Sequence, residues 1–307
     1  MINYNSNRIL VIKHGSLGDI VFAMEAMYSV RMHFKNSTIS LLTEKKFERF
    51  MSNSQYFDEI IIDQRGGFFY SLKILKQLLD KKFNLVIDLQ NSKRSNIYNF
   101  FFRYLGKSTI NGNRSNSNLR YFIKPKGNES PKNGLNNQIK LLGIKILVDE
   151  YKWLNTNTDI NDFKNLILII PSTSNTGKHK QWPQNNFIDL CLRLEKYGKQ
   201  ICLVGAINDK KITDKIVKNC KNILDLTGKS PPEIIFSIAL NCQIVVTNDT
   251  GPGHIAALSK NKIIWIALNN LTTRVNIEEN NLNFKILSDK IENIAVERVF
   301  DKIKEEL

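Results

Sequence analysis

Short apolar runs recur along this chain, each followed by a polar turn and then by a stretch with helical spacing. Residues 8–13, with Ile9, Leu10, Val11 and Ile12 in succession, are apolar without alternation. A strand buried on both faces of a parallel sheet reads that way. His14-Gly15-Ser16-Leu17-Gly18-Asp19 is a loop, and 20–34 then places Val21, Met24, Ala26, Met27, Val30 and Phe34 at helical spacing. The alternation continues with strands over 38–42, 57–62 and 84–89 and helices over 45–51, 68–79 and 95–104. The last helix is rich in aromatics, Tyr98, Phe100, Phe101 and Phe102. They fit a core, or an apolar face turned toward a membrane-bound partner.

From 111 to 137 the pattern becomes polar, with Pro125 and Pro131, and is expected to be one long loop carrying Arg114, Arg120, Lys124, Lys126 and Lys132. A helix over 138–142 and a final strand over 144–148 close the first series. Residues 151–165 read as an interdomain linker. A second series follows, with strands over 166–170, 200–204, 223–226, 243–246 and 263–268. Its helices fall over 186–196, 210–218, 231–240 and 252–259, and a terminal amphipathic helix lies within 289–307. The pattern predicts two consecutive doubly wound α/β units, whose ligands bind beyond the carboxyl ends of the strands. The polar loops all fall at that position and are expected to converge on a gap between the units.

A chain of 307 residues is comfortable for two domains. Its 42% hydrophobic and 24% charged content is that of a soluble globular protein. No apolar run is long enough to cross a membrane. The polar start, Met1 to Arg8, has no signal core, so a cytoplasmic location is expected. Cys191, Cys202, Cys220 and Cys242 form no metal-ligand pattern, and no metal site is expected. The net charge of +15 points to an anionic partner: a phosphorylated substrate or an anionic membrane surface. A basic block with interleaved aromatics and a DNA-reading motif are both missing from the sequence, so nucleic acid is not implied.

The chemistry concentrates where strands end and helices begin. Val245-Val246-Thr247-Asn248-Asp249-Thr250-Gly251 passes from strand to turn, and Pro252-Gly253-His254 opens a helix. Such a junction offers backbone N–H groups and a positive dipole end to an anion, phosphate above all. The plainer alternative is that Asp249 or Thr250 only caps the helix. Asp19 is placed to act as a general base, or else to stabilise its own helix. Lys178 and Lys180 could balance charge on a departing diphosphate, or be two solvated lysines. Asp209, at the end of a strand, could accept hydrogen bonds from a ribose or cap the next turn. The first loop is not GxGxxG, and the first acid after the second strand, Glu44, lies too far on for a dinucleotide ribose, which argues against a nicotinamide enzyme.

Taken in order, Ile9-Leu10-Val11-Ile12-Lys13 with Ser16-Leu17-Gly18-Asp19, Leu85-Val86-Ile87-Asp88-Leu89-Gln90 with Ser92-Lys93-Arg94-Ser95, Lys180-Gln181-Trp182-Pro183, and Asn248-Asp249-Thr250-Gly251 with His254-Ile255-Ala256-Ala257 resemble glycosyltransferase family 9, the ADP-heptose:lipopolysaccharide heptosyltransferases. The resemblance runs from about Arg8 to Leu268. It implies a GT-B fold, two Rossmann-like domains facing across a cleft, with a C-terminal helix crossing back. The domains would be 1–150 on the acceptor side, 151–165 as linker, 166–288 for the nucleotide-sugar donor, and 289–307 as the returning helix. The implied catalytic base is Asp19. Lys178, Lys180, Asp209, Asp249, Thr250, Gly251 and His254 would bind the donor, and Ser16, Gly18, Lys93, Arg94 and Arg120 would lie on the acceptor side. No metal or cofactor is implied beyond the nucleotide sugar. The implied partners are that donor, an anionic lipopolysaccharide core, and transient contact of a monomer with the inner face of the inner membrane. The sequence departs from the pattern at His14-Gly15 and at Asn269-Asn270-Leu271. The second departure keeps open a different donor, a UDP- or GDP-sugar. A non-catalytic nucleotide-binding module is the other alternative.

Overall fold

The computed structural model describes residues 7–125, 127–156 and 165–307. The first six residues, Lys126 and most of the expected linker, 157–164, lie outside the described residues. The chain divides into two units, 1–150 and 151–307.

In the first unit β1 (Arg8–Ile12), α1 (Leu17–His33), β2 (Thr38–Thr43), α2 (Glu48–Asn53), β3 (Glu59–Ile62), α3 (Phe68–Asp80), β4 (Leu85–Asp88), α4 (Lys93–Tyr104), β5 (Thr109–Gly112), β6 (Leu119–Arg120) and α5 (Pro131–Lys140) follow one another. The six strands are parallel in the order β3-β2-β1-β4-β5-β6. The most uniformly apolar runs, β1 and β4, take the centre, where both faces are covered. On one face Ile74, Leu75 and Leu78 of α3 and Tyr98 and Phe102 of α4 pack on Leu10, Ile12 and Val86.

Two expectations fail in this unit. The polar stretch 111–137 is not one loop. It contains the end of β5, all of β6 and most of α5, and Asn111, Asn113, Ser117, Ser130 and Asn136 within it are buried. Asn111 Nδ2 donates to the carbonyls of Gln138 (3.0 Å) and Leu119 (3.3 Å), and Gln138 Nε2 reaches the Asp88 carbonyl at 3.1 Å. Buried amides tied in this way satisfy a sheet as apolar residues would, but read as loop. Conversely, the apolar segment 144–148 joins no sheet. Its Leu147 N–H donates to Ser29 Oγ on α1 at 2.9 Å.

The second unit comprises β7 (Leu166–Ile170), α6 (Gln184–Lys196), β8 (Gln200–Leu203), α7 (Lys210–Asn219), β9 (Ile223–Asp225), α8 (Pro232–Asn241), β10 (Ile244–Asn248), α9 (Gly251–Ala257), β11 (Ile263–Leu268), α10 (Leu271–Asn276), β12 (Asn283–Ser288) and α11 (Val296–Glu306). Its parallel order is β12-β11-β10-β7-β8-β9. Counted from its own first strand this is the order of the first unit, so the two sheets share one topology. In each, the chain reverses direction across the sheet between the first strand and the fourth. These switch points, β1/β4 and β7/β10, are where a doubly wound sheet opens a crevice for a ligand. The element pair α10 and β12 is absent from the sequence reading. The terminal helix, expected to return to the first unit, spends its apolar face in the second: Val296, Val299 and Ile303 join Leu190 and Leu194 of α6 in one core.

Candidate functional site

In the first unit the site is built where β1 stops. Gly15 adopts φ +109°, and a Cβ there would lie 2.6 Å from Asp19 Oδ2. Only glycine leaves both the backbone turn and the space. Ser16 is the N-cap of α1: its Oγ accepts from Asp19 N at 3.3 Å, while Asp19 Oδ2 accepts from Ser16 N (2.7 Å) and Ser16 Oγ (2.8 Å). This reciprocal cap is the structural role weighed for Asp19, and it is filled. It consumes one carboxylate oxygen. Oδ1 has no hydrogen-bond partner among the described residues, and the residue is exposed. An oriented carboxylate with a free oxygen can take a proton. Gly18 is buried beneath the loop and Ser16 is exposed.

Around this loop lies a layer of buried polar residues to which the motifs alone assign no role. Lys13 is buried, and its Nζ donates to the Leu89 carbonyl at 3.1 Å. Burial pushes its pKa down, opposed by the charges of Asp19 and Asp88. Asp88, also buried, receives N–H groups from Gln90 (3.1 Å) and Asn91 (2.8 Å) and the Asn99 amide (2.7 Å). Burial nevertheless raises its pKa. His14 is buried beside the charges of Asp63 and Glu44, and its backbone N–H is held by Gln90 Oε1 at 2.9 Å.

The basic residues expected on the acceptor side sit at this same edge in different states. Lys93 is exposed at the first position of α4. Arg94 is already engaged: Nε and Nη2 reach buried Asp63 at 3.2 and 3.0 Å, and the guanidinium lies over the Tyr98 ring. Arg120, at the end of β6, donates to the Asn113 carbonyl at 3.0 Å and covers the Phe122 ring. Asp63 anchors Arg94 and had no signal in the sequence beyond its place at a strand end. The polar stretch also lines, with Glu25 of α1, a cavity of about 460 Å³ bounded by Lys124, Glu129, Asn133, Asn136 and Lys140.

In the second unit the loops after β7 and β10 meet across the switch point. Lys180 Nζ lies 2.7 Å from Asp249 Oδ2, and His254 Nε2 lies 3.2 Å from Asp249 Oδ1. Burial works to raise the Asp249 pKa, but bonding and charge from His254 and Lys180 outweigh it and hold the carboxyl at about 2. Asp249 is therefore ionised at neutral pH and orients both partners. It does not cap α9. Thr250 is the N-cap, with no side-chain cap bond, so the first N–H groups of the turn stay open. Asn248 binds the two loops together, accepting from Trp182 N at 2.9 Å and donating to the Pro171 carbonyl at 3.0 Å. Trp182 is fully buried, its Nε1 bonded to the Ile294 carbonyl at 2.9 Å. Gly253 lets α9 sit close to β10, since a Cβ there would meet Thr247 Oγ1 at 2.7 Å. Lys178 is exposed, unlike Lys180.

Asp209 repeats the Asp19 arrangement after β8. Its Oδ2 accepts from Ala206 N at 2.7 Å, and Gly205 lies beneath it with only 3.0 Å between a Cβ and that oxygen. Burial raises its pKa, opposed by the Ala206 amide. Of the expected donor residues, Lys180, Asp249 and His254 are in contact, and Thr250 and Gly251 continue the same turn. Lys178 and Asp209 stand on neighbouring loops of the same sheet edge.

Two units, each a parallel sheet of the same strand order with its polar residues at the carboxyl edge, make this an α/β protein of GT-B type. A sequence profile of glycosyltransferase family 9 (heptosyltransferase) matches residues 71–293. The chain belongs to this family and is a glycosyltransferase. It is 20% identical to the lipopolysaccharide core heptosyltransferase OpsX of Haemophilus influenzae, over 89% of this chain and 85% of that one. It is 25% identical to the lipooligosaccharide heptosyltransferase 2 of Campylobacter jejuni, over 81% and 78%. The structure of E. coli heptosyltransferase WaaC with ADP superposes with a TM-score of 0.79 at 16% identity, covering 98% of this chain and all of that one, a likeness of fold.

Proposed function

We propose that this enzyme transfers a heptose from ADP-heptose to a lipopolysaccharide core acceptor with inversion. The named relatives support the substrate pair. The observation that carries the mechanism is Asp19, held by Gly15 and Ser16 with one oxygen free. Asp19 takes the proton of the acceptor hydroxyl as that oxygen attacks the anomeric carbon from the side opposite the diphosphate. The bond to the nucleotide breaks, and charge develops on the leaving phosphate oxygen. Lys180, positioned by Asp249, and exposed Lys178 offset that charge, with the open amides of Thr250 and Gly251. His254 fixes Asp249 from its other side, and Asp209 accepts from the donor ribose. Lys93 and Arg120, with the Ser16-Gly18 turn, receive the anionic acceptor. Arg94 contributes through its bond to Asp63. The donor is the only small molecule the reaction needs. The working location is the cytoplasmic face of the membrane that holds the acceptor.

Mass spectrometry of a reaction with ADP-heptose and a truncated core acceptor tests this. The expected product is heavier by one heptose with the wild type, while Asp19→Asn loses turnover by ~100-fold or more with donor affinity kept within a few fold. Full turnover in Asp19→Asn would remove the base assignment. A second reading, a UDP- or GDP-sugar donor, rests on the loop after β11. Asn270 caps α10 and Asn269 binds Arg274 and Asp289, in place of the family's usual residues there. A thermal-shift panel of ADP, UDP and GDP distinguishes the donors, since a nucleotide at ~100 times its Kd adds about 2.7 kcal/mol.

A further inference from the structure

The outward faces of α3 and α4 carry a surface that the reaction does not use. The inward faces of both helices lie on the same side of the first sheet, in one core. Outward, α3 presents Phe68, Phe69 and Leu72, with Phe68 71% and Phe69 85% exposed. Outward on α4, Ile97, Phe100 and Tyr104 recur at three- and four-residue spacing and Leu105 follows, all exposed. The Phe100 and Tyr104 rings lie against each other in a tilted contact, centroids 4.8 Å apart, and continue one apolar stripe. Burying large apolar side chains is favourable, and here several are left in water. Between Gln64 and Lys107 there are nine Lys or Arg against two Asp. One of those acids, Asp88, is buried. Lys73, Lys76 and Lys107 are exposed and have no ion-pair partner among the described residues.

We propose that this face seats the first unit on an anionic bilayer surface, aromatics among the headgroups and lysines on lipid phosphates. An apolar stripe rimmed by unpaired cations is what an interfacial membrane contact requires. A second copy of the chain would bring like charges together on the same stripe, which disfavours self-association. The placement also serves the reaction, and for that purpose the proposal rests on the lipid-anchored acceptor of the reading above. Because β3 and β4 are parallel to β1, α3 and α4 begin at the carboxyl edge of the sheet, where Asp19 stands. Phe68 and Phe69 therefore meet the bilayer at the edge that must reach a sugar anchored in it.

The test is co-sedimentation of the full chain with phosphatidylcholine vesicles, with and without phosphatidylglycerol. It is run for the wild type, a Phe68→Ser/Phe69→Ser/Ile97→Ser variant and a Lys73→Glu/Lys76→Glu variant, all checked by circular dichroism. Binding that depends on phosphatidylglycerol and falls by about tenfold in each variant is expected. Turnover of an acceptor carried in vesicles should fall in parallel, while turnover of a deacylated, soluble acceptor stays at the wild-type value. Equal binding of wild type and variants, or binding indifferent to anionic lipid, overturns the proposal. So does a solution dimer that the Phe68→Ser/Phe69→Ser/Ile97→Ser variant dissolves. Variant-sensitive binding with no turnover of either acceptor supports the surface and removes the heptosyl-transfer reading. Turnover of the soluble acceptor without vesicle binding does the reverse.

Discussion

His14 carries its imidazole into the protein with Nε2 unpartnered among the described residues. Burial lowers its pKa to about 4, against the opposing pull of Asp63 and Glu44. The folded state therefore refuses a proton that the unfolded chain accepts near pH 6.5. Its contribution is complete above that pH and is lost as pH falls from about 6.5 to about 4. Urea unfolding should show about 2 kcal/mol less stability at pH 5 than at pH 7 from this group. His14→Gln should flatten that slope, and an unchanged slope would assign it elsewhere. Asp249 works in a lower window. With its carboxyl at about 2 in the fold, its share of stability is present above about 4 and disappears between about 4 and 2. Lys180→Met removes the ammonium that faces its Oδ2. Acid unfolding should then begin at higher pH, with a loss of roughly 1–3 kcal/mol at neutral pH by calorimetry. Asp19 and Asp249 could both be picked out from strand-end spacing. The acids at 63 and 88 could not be sorted from them, because burial and the partner on a distant strand are what set their roles.

A loop and the helix it opens act as one device at this scale, and two glycines show it. At Gly15 the positive φ and the nearness of Asp19 Oδ2 mean that Gly15→Ala must displace the carboxylate. Turnover should fall by ~100-fold or more, measured with the soluble acceptor, while stability drops by about 1 kcal/mol. At Gly253 the obstacle is Thr247 and Trp265 behind α9. Gly253→Ala should instead cost roughly 1–3 kcal/mol of stability by overpacking, seen in denaturant unfolding. If the two variants show the same balance of stability and turnover loss, the distinction between the loops fails. The elements themselves were legible where strands are central. β1, β4, β7 and β10 are continuous apolar runs because both of their faces are covered. β5 hid behind buried Asn111, β6 is two residues long, and β12 is an edge strand of mixed polarity. Periodicity has nothing to detect in any of them. The segment 144–148 misled in the other direction, since its apolar residues answer to α1 and not to a sheet.

The whole molecule repeats one topology, and this decides what a nucleotide should do to it. Each sheet has a single switch point, and in each a glycine lies under an aspartate at the carboxyl edge, Gly15 with Asp19 and Gly205 with Asp209. The second switch point joins Lys180, ionised Asp249 and His254 around an uncapped turn, whereas the first presents a capped helix and a free oxygen of Asp19. A diphosphate gains from cations and amides and is repelled by an exposed carboxylate. The repeat is therefore one of architecture, and the charges divide the labour. Hydrogen exchange with ADP at ~100 times its Kd should protect the backbone around 172–182, 205–209 and 248–254 most strongly. The loop 14–19 should exchange as it does without nucleotide. Protection centred on 14–19 and missing from 248–254 would reverse the assignment of donor and acceptor units. Lys180→Met should weaken the effect at 248–254 and at 205–209 together, because both loops would face the same bound nucleotide.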